Sequence, residues 1–201
     1  LLNLKKGFSL PLWVAGAAKS ALKKLVGLPF TNYELIKIPN KKKAIKIEIH
    51  SVGLLKDESH ALGISFAKSG LDLDITQNLE IWTIASLEKV SFDIPVPKNQ
   101  INLIAGSGVG INENTSAICI SDFAKEVLYS NLLDLIPNSF NLNLEIVFPN
   151  GEFLAERTSN QSFGIVDGLS IIGTSAETYS SASPDQLEEA KTKLANLTNN
   201  D

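Results

Sequence analysis

Over residues 12–26 apolar side chains recur every three to four positions, while Lys19, Lys23 and Lys24 fall on another face. That spacing predicts a helix, and Leu28-Pro29 ends it. Its stretch Ala15-Gly16-Ala17-Ala18 carries little side-chain bulk, so a neighbour or ligand is expected to approach closely. The period then switches to two: residues 33–38 and 44–49 alternate as strands around a turn, Pro39-Asn40-Lys41-Lys42-Lys43. The lysine run there reads as a solvated hairpin tip rather than a ligand patch. Residues 62–67, 79–90, 101–105 and 142–148 are further strand candidates, and 117–120 is a short one. Ser121 is placed to cap a helix reaching about residue 135, with Phe123, Val127, Leu128, Leu132 and Leu135 in one stripe. Pro149-Asn150-Gly151 turns into a short helix near 152–156, and residues 163–173 read as an apolar, glycine-punctuated loop and strand. Ser183-Pro184-Asp185 opens a last helix that frays from Leu197. Antiparallel strands with helices beside them predict an α+β fold, a two-layer sandwich of mostly antiparallel sheet with helices against it. No internal repeat is visible.

Composition narrows the partners. The 201 residues suffice for one large or two small domains without a disulfide or metal staple. A formal net charge of −4 argues against a nucleic acid or an anionic membrane held by bulk charge. Cys119 is the single cysteine, which forbids an internal disulfide and fits a reducing compartment. Lys19, Lys23 and Lys24 interrupt the apolar stretch at 10–28, so neither a membrane span nor a secretory signal is predicted, and a cytoplasmic location is expected.

Little conventional catalytic chemistry is present. His50 and His60 are not in metal-ligand spacing with Cys119, so no protein-bound metal is expected. No nucleophile elbow or Cys/His pair supports hydrolysis. Gly106-Ser107-Gly108-Val109-Gly110 follows a predicted strand, and its backbone could uncover amides for a carboxylate or phosphate. A dinucleotide fold would need a helix at once, whereas the polar, irregular 111–116 intervenes. Both a tight structural turn and a ligand loop remain open readings here. Arg157 is the only arginine. Its fork suits bidentate carboxylate binding, and a surface pairing with Glu152 or Glu156 is the alternative.

Four blocks carry a resemblance. The run from Arg157 to Thr174, with its Thr, Asn, Gly-Ile-Val-x-Gly and Ile-x-Gly-Thr elements, is similar to the signature of the cobalt-precorrin-5B C1-methyltransferases of cobalamin biosynthesis. The 106–110 loop resembles that family's Gly-x-Gly-Val-Gly segment, Asp74-Ile75-Thr76 its Asp-Val-Thr, and Gly7-Phe8 with residues 15–19 the start of its first helix. Order and relative spacing agree across nearly the whole chain, in a cyanobacterial-type variant. Ser9-Leu10-Pro11-Leu12-Trp13 replaces the usual Thr-Thr-Gly-Thr-Cys, and Cys119-Ile120 stands where Asn-Pro is common.

The resemblance implies methyl transfer from S-adenosylmethionine to ring carbon C1 of a cobalt-precorrin tetrapyrrole, cobalt arriving only with the substrate. It also implies that the chain is the N-terminal domain of such an enzyme, without the α/β domain that follows in the family. The rival is a non-catalytic tetrapyrrole-binding or scaffold domain. A homo-oligomer is left open. A substrate rich in carboxylates needs anion-binding groups, for which Lys19, Arg157 and the amides of Gly106, Ser107, Gly108, Val109 and Gly110 are the candidates. Thr158, Asn160, Gly164, Gly168, Gly173 and Thr174 complete the expected binding set, and Asp74 and Asp167 are the candidate bases. The two glycine-rich segments are expected to wall one cleft.

Overall fold

The structure is a computed structural model that describes residues 6–70, 74–90 and 100–179. A short strand, β1 (Lys6–Phe8), turns at Ser9 into helix α1 (Leu10–Leu25), with proline in its first turn where a missing amide hydrogen costs nothing. Leu12, Val14, Ala15, Ala17, Ala18, Ala21 and Leu22 of α1 are fully buried. A helix apolar on so much of its circumference must be covered on more than one side. The hairpin β2 (Tyr33–Ile36) and β3 (Ile45–Glu48) covers one side through Ile36 and Ile47. The main sheet covers another.

That sheet takes β4 (Ser51–Leu54), β5 (His60–Phe66), β6 (Glu80–Lys89) and β7 (Ile101–Ala105). Then come two very short strands, β8 (Gly108–Val109) and β9 (Ile111–Asn112), helix α2 (Asp122–Leu132) and strand β10 (Phe140–Val147). The spatial order is β4-β5-β6-β10-β7. Along β5, β6 and β10 every second residue is buried, the signature of a sheet with one covered face. The covered face of β5 and β6 holds small residues: Ala61, Gly63, Ser65, Thr83 and Ala85. A methyl group on Gly63 would come within 2.3 Å of Ala17 O, so helix backbone lies almost directly on strand backbone. The low bulk of residues 15–18 is thus used against the sheet.

The expected α+β architecture is present, as are nearly all expected elements within a few residues. Two differences stand out. β7 joins β10 in parallel rather than antiparallel, because the intervening segment with α2 is long enough for a crossover. Residues 117–120 form no strand, only single bridges Ile111↔Ile118 and Ile120↔Ile171. The helix expected from Ser183 lies outside the described residues.

Past β10 the chain returns through α3 (Gly151–Ala155), a 3-10 turn at Asn160–Phe163, then β11 (Ile165–Val166), β12 (Gly168–Leu169) and β13 (Glu177–Tyr179). β11 pairs with β9, β12 with β8 in parallel, and β13 with β1. At the centre three glycines meet. A methyl group on Gly108 would sit 2.0 Å from Phe148 O, and one on Gly151 or Gly168 would sit 2.0 Å from Gly108 O.

Gly108 has φ 74°, a left-handed conformation, and so does Gly27 at φ 75°, but nothing lies within 4 Å of an added methyl at Gly27. Gly27→Ala should therefore cost only left-handed strain, about 1 kcal/mol. Gly108→Ala adds a backbone collision and should cost about 3 kcal/mol or more. Urea unfolding of the two variants measures the difference.

Candidate ligand-binding cleft

Ser9 ends β1 and starts α1. Its hydroxyl donates to Ser175 O (2.7 Å), and its amide donates to Ala176 O (3.1 Å). The helix end is thereby tied to the segment that follows β12. Ser121 fastens the same segment from the other side: its hydroxyl accepts from Ala124 N (3.2 Å), capping α2, and donates to Gly173 O (2.9 Å). Gly173 fits against Pro11, where a methyl group would meet the proline ring at 3.2 Å. Between the start of α1, the 74–76 turn and residues 158–178 a cleft of about 470 Å³ remains.

Hydroxyl side chains are numerous along the cleft, from Ser9, Thr76, Thr158, Ser159, Ser170, Thr174, Ser175 and Thr178, joined by the Asn160 amide, and Phe8, Leu10, Ile75, Leu169 and Ile172 supply apolar surface between them. Its ionisable groups are Asp74 and Glu177, and no Lys, Arg or His is found among the described residues that line it. Asp74 Oδ1 accepts from Thr76 N (2.8 Å) and Thr76 Oγ1 (2.7 Å), a turn that fixes the carboxylate. Thr158 and Asn160 brace the opposite wall: Thr158 Oγ1 donates to Ala155 O (2.7 Å), and Asn160 Nδ2 donates to Gly168 O (3.1 Å). Ile172 lines the cleft yet is 64% exposed, an apolar side chain at its mouth.

Of the residues expected to bind ligand, Asp74, Thr158, Asn160, Gly173 and Thr174 line this cleft. The glycine loop is adjacent, as expected, but it stands behind the cleft and does not line it. Gly106 N donates to Ile146 O, Val109 N to Gly106 O, and Gly110 N to Leu169 O, so these amides hold the fold together. Of the two readings, these three bonds favour the tight structural turn. Ser107 is exposed, with its hydroxyl 3.5 Å from Glu152 Oε1. Gly164, at φ 68°, ends the 3-10 turn, and Gly168 is buried at the glycine junction.

Asp167 is exposed at φ 67° and borders a second depression with Glu152 and Glu156, away from Asp74. Lys19 points elsewhere too: its ammonium donates to Leu35 O (2.7 Å) and lies 4.0 Å from Glu34, whose carboxylate also binds Lys23 at 2.7 Å. Burial pushes the Lys19 pKa down, against the pull of Glu34. Arg157 is exposed, one residue before the cleft wall at Thr158, and makes no ion pair among the described residues, so the surface pairing with Glu152 or Glu156 is absent. His50 packs edge-on against Phe66 with centroids 5.0 Å apart, and His60 Nδ1 contacts Asp57 at 2.6 Å. Both are local surface contacts.

Sequence reasoning missed Ser9, Ser170, Ser175 and Thr178. The available signal was the density of Ser and Thr just after the glycine-punctuated stretch.

The chain is thus a two-layer α+β domain with a hydroxyl-bearing cleft at the start of its first helix. The CbiD family profile matches residues 2–180, and the chain belongs to that family. It is 84% identical over 198 residues to the cobalt-precorrin-5B C(1)-methyltransferase of Prochlorococcus marinus strain MIT 9312, covering 98% of this chain and 54% of that protein. It is 43% identical over 192 residues to the protein of the same name from strain NATL2A, covering 93% and 50%. The chain thus spans about half the length of the curated relatives it matches. A crystal structure of the cobalamin biosynthesis protein CbiD from Archaeoglobus fulgidus shares the fold, with TM-score 0.63 at 21% identity over 96% of this chain and 60% of that one.

Because burial outweighs the pull of Glu34, Lys19 in its charged form adds little to the fold. Lys19→Met should change stability by no more than about 0.5 kcal/mol at neutral pH. The sign with pH follows: a depressed pKa means the folded state binds fewer protons, so this side chain's contribution rises as pH climbs toward 10.5. Denaturant titrations at pH 7 and pH 10 should show the unmodified protein gaining relative to the variant.

Proposed function

We propose that the chain is the N-terminal half of a cobalt-precorrin-5B C1-methyltransferase and supplies the cleft at the start of α1 to its active site. The observation that carries this reading is convergence. Phe8 at the start of the first-helix block, Asp74-Ile75-Thr76, and both ends of the 157–174 signature, at 158–160 and 169–174, come from three separate parts of the chain and line one cleft. The fourth block, the 106–110 loop, buttresses the signature from behind through the β8–β12 pairing. A family signature spread in this way is what a shared ligand site requires.

The reaction asks for alignment more than for acid–base chemistry. Ring carbon C1 of the corrinoid supplies an electron pair to the methyl carbon of S-adenosylmethionine. The C–C bond forms as the C–S bond breaks, and the sulfonium leaves as the neutral thioether S-adenosylhomocysteine. Its positive charge passes to the product macrocycle. Cobalt belongs to the substrate. The chain's residues hold the methyl group in line and keep water away, and pre-alignment of this kind is worth roughly 7–11 kcal/mol. Asp74, fixed by its own turn, is placed to stabilise positive charge in the cleft.

Incubating the 201-residue chain alone with labelled S-adenosylmethionine and cobalt-precorrin-5B should give negligible methylated product, and product should appear when the remainder present in its relatives is supplied. Turnover restored in this way supports the reading. A full-length protein that binds tetrapyrrole without methylating it would favour a non-catalytic binding domain. Arg157 is expected to meet a substrate carboxylate beside the cleft. Arg157→Ala should leave stability nearly unchanged, within about 0.5 kcal/mol, while costing about 1 kcal/mol of tetrapyrrole affinity, the scale of an exposed charge contact. A melting curve and a tetrapyrrole titration separate the two effects.

A further inference from the structure

We infer that the cleft holds the methyl donor, a zwitterionic sulfonium nucleoside, and that the carboxylate-rich macrocycle lies across its mouth instead of inside it. The inference rests on the methyltransferase reading above and decides which of the two substrates this wall receives.

Charge is the first argument. The ionisable groups lining the cleft are Asp74 and Glu177, with no Lys, Arg or His among the described lining residues. A polycarboxylate entering it would meet the like charge of Asp74 and lose water. A sulfonium and an ammonium gain from the same field. Asp74 is prepared for that role: Oδ1 is committed to the turn with Thr76, while Oδ2 makes no hydrogen bond or ion pair among the described residues.

The second argument is the start of α1. This 16-residue helix begins at the cleft with no acid in its first turn, and Ser9, its N-cap, makes no side-chain bond to the helix amides because its hydroxyl donates to Ser175 O. Pro11 has no amide hydrogen and Leu12 N donates to Ser9 O, so Leu10 N and the helix dipole are what the start of α1 offers to one carboxylate. One carboxylate, beside cations and a ribose diol, is the functional-group pattern of S-adenosylmethionine. Ser170 and Thr174 supply neutral hydroxyls suited to the diol. About 470 Å³ lies within the range of small-ligand sites, roughly 300–1,000 Å³.

The third argument is what lies outside. Ile172 presents exposed apolar surface at the mouth, and Arg157 presents an exposed guanidinium one residue from the wall. A flat macrocycle with peripheral carboxylates matches that pair, an apolar face under the ring and a fork at its edge.

The test is calorimetry on the full-length protein with S-adenosylmethionine and, separately, with uroporphyrin as a polycarboxylate tetrapyrrole probe. Asp74→Asn keeps an oxygen for the Thr76 turn and removes the charge. It should weaken S-adenosylmethionine binding by about fivefold to tenfold, the scale of one half-exposed charge contact, and leave uroporphyrin affinity unchanged. Thr174→Lys, at an exposed position, places a cation in the cleft; it should likewise weaken the donor and should leave uroporphyrin binding equal or tighter. Should Asp74→Asn melt early, Thr174→Lys carries the test. Donor affinity untouched by both variants, or uroporphyrin binding lost where donor binding is kept, overturns the inference. The two levels fail separately. Donor binding that depends on Asp74 without methylation of cobalt-precorrin-5B sinks the proposed function and leaves the site assignment. Methylation with donor binding indifferent to the cleft variants does the reverse.

Discussion

The meeting of Gly108, Gly151 and Gly168 is the constraint on which the cleft-bearing part of this domain depends. Gly108 O lies where any side chain on Gly151 or Gly168 would have to go, and Phe148 O lies where one on Gly108 would go. Backbone carbonyls cannot retreat as a flexible side chain can, so all three positions must stay bare. This contact lets β12 pair in parallel with β8 and fixes the return segment to the end of the main sheet. Everything after it, through the β13–β1 pairing, then has only one course past the start of α1.

A second close approach supports the first. α1 lies on β5 with Ala17 O against Gly63, and small side chains on both surfaces allow it. The helix axis is thereby set, and with it the place where the helix starts. The cleft is the gap between a helix held by small residues and a segment held by glycines. Neither wall relies on the cleft's own hydroxyls for its main packing. Many of those hydroxyls brace the backbone instead, as Ser9, Thr158 and Thr178 do, with donors spent on carbonyls and lone pairs still available.

Much of this could be read from the chain. α1, the hairpin at 33–48, the long strands β5, β6 and β10, and α2 with its Ser121 cap all run for enough residues to declare a period. The strands β8, β9, β11 and β12 have two residues each, too few for any alternation, and their partners lie far along the chain. The parallel β7–β10 pair was not legible either, because strand direction depends on the path of the crossover and leaves no mark within the strand. Three of the four motif blocks meet at one cleft. The amides of Gly106, Val109 and Gly110 are spent within the fold, since glycine permits close approach by protein backbone as readily as by a ligand. Lys19 lies away from that cleft: charge on a helix face does not reveal that Glu34 waits on the neighbouring hairpin.

The account's central claim is that residues 8–10, 74–76 and 169–178 receive the methyl donor while the glycine loop only supports them. Hydrogen–deuterium exchange of the full-length protein, with and without saturating S-adenosylmethionine, tests it most directly. The account predicts new protection concentrated at 74–76 and 169–178, with the amides of 106–110 already slow and unchanged. Protection appearing at 106–110, or nowhere in these segments while the donor is demonstrably bound, would contradict it.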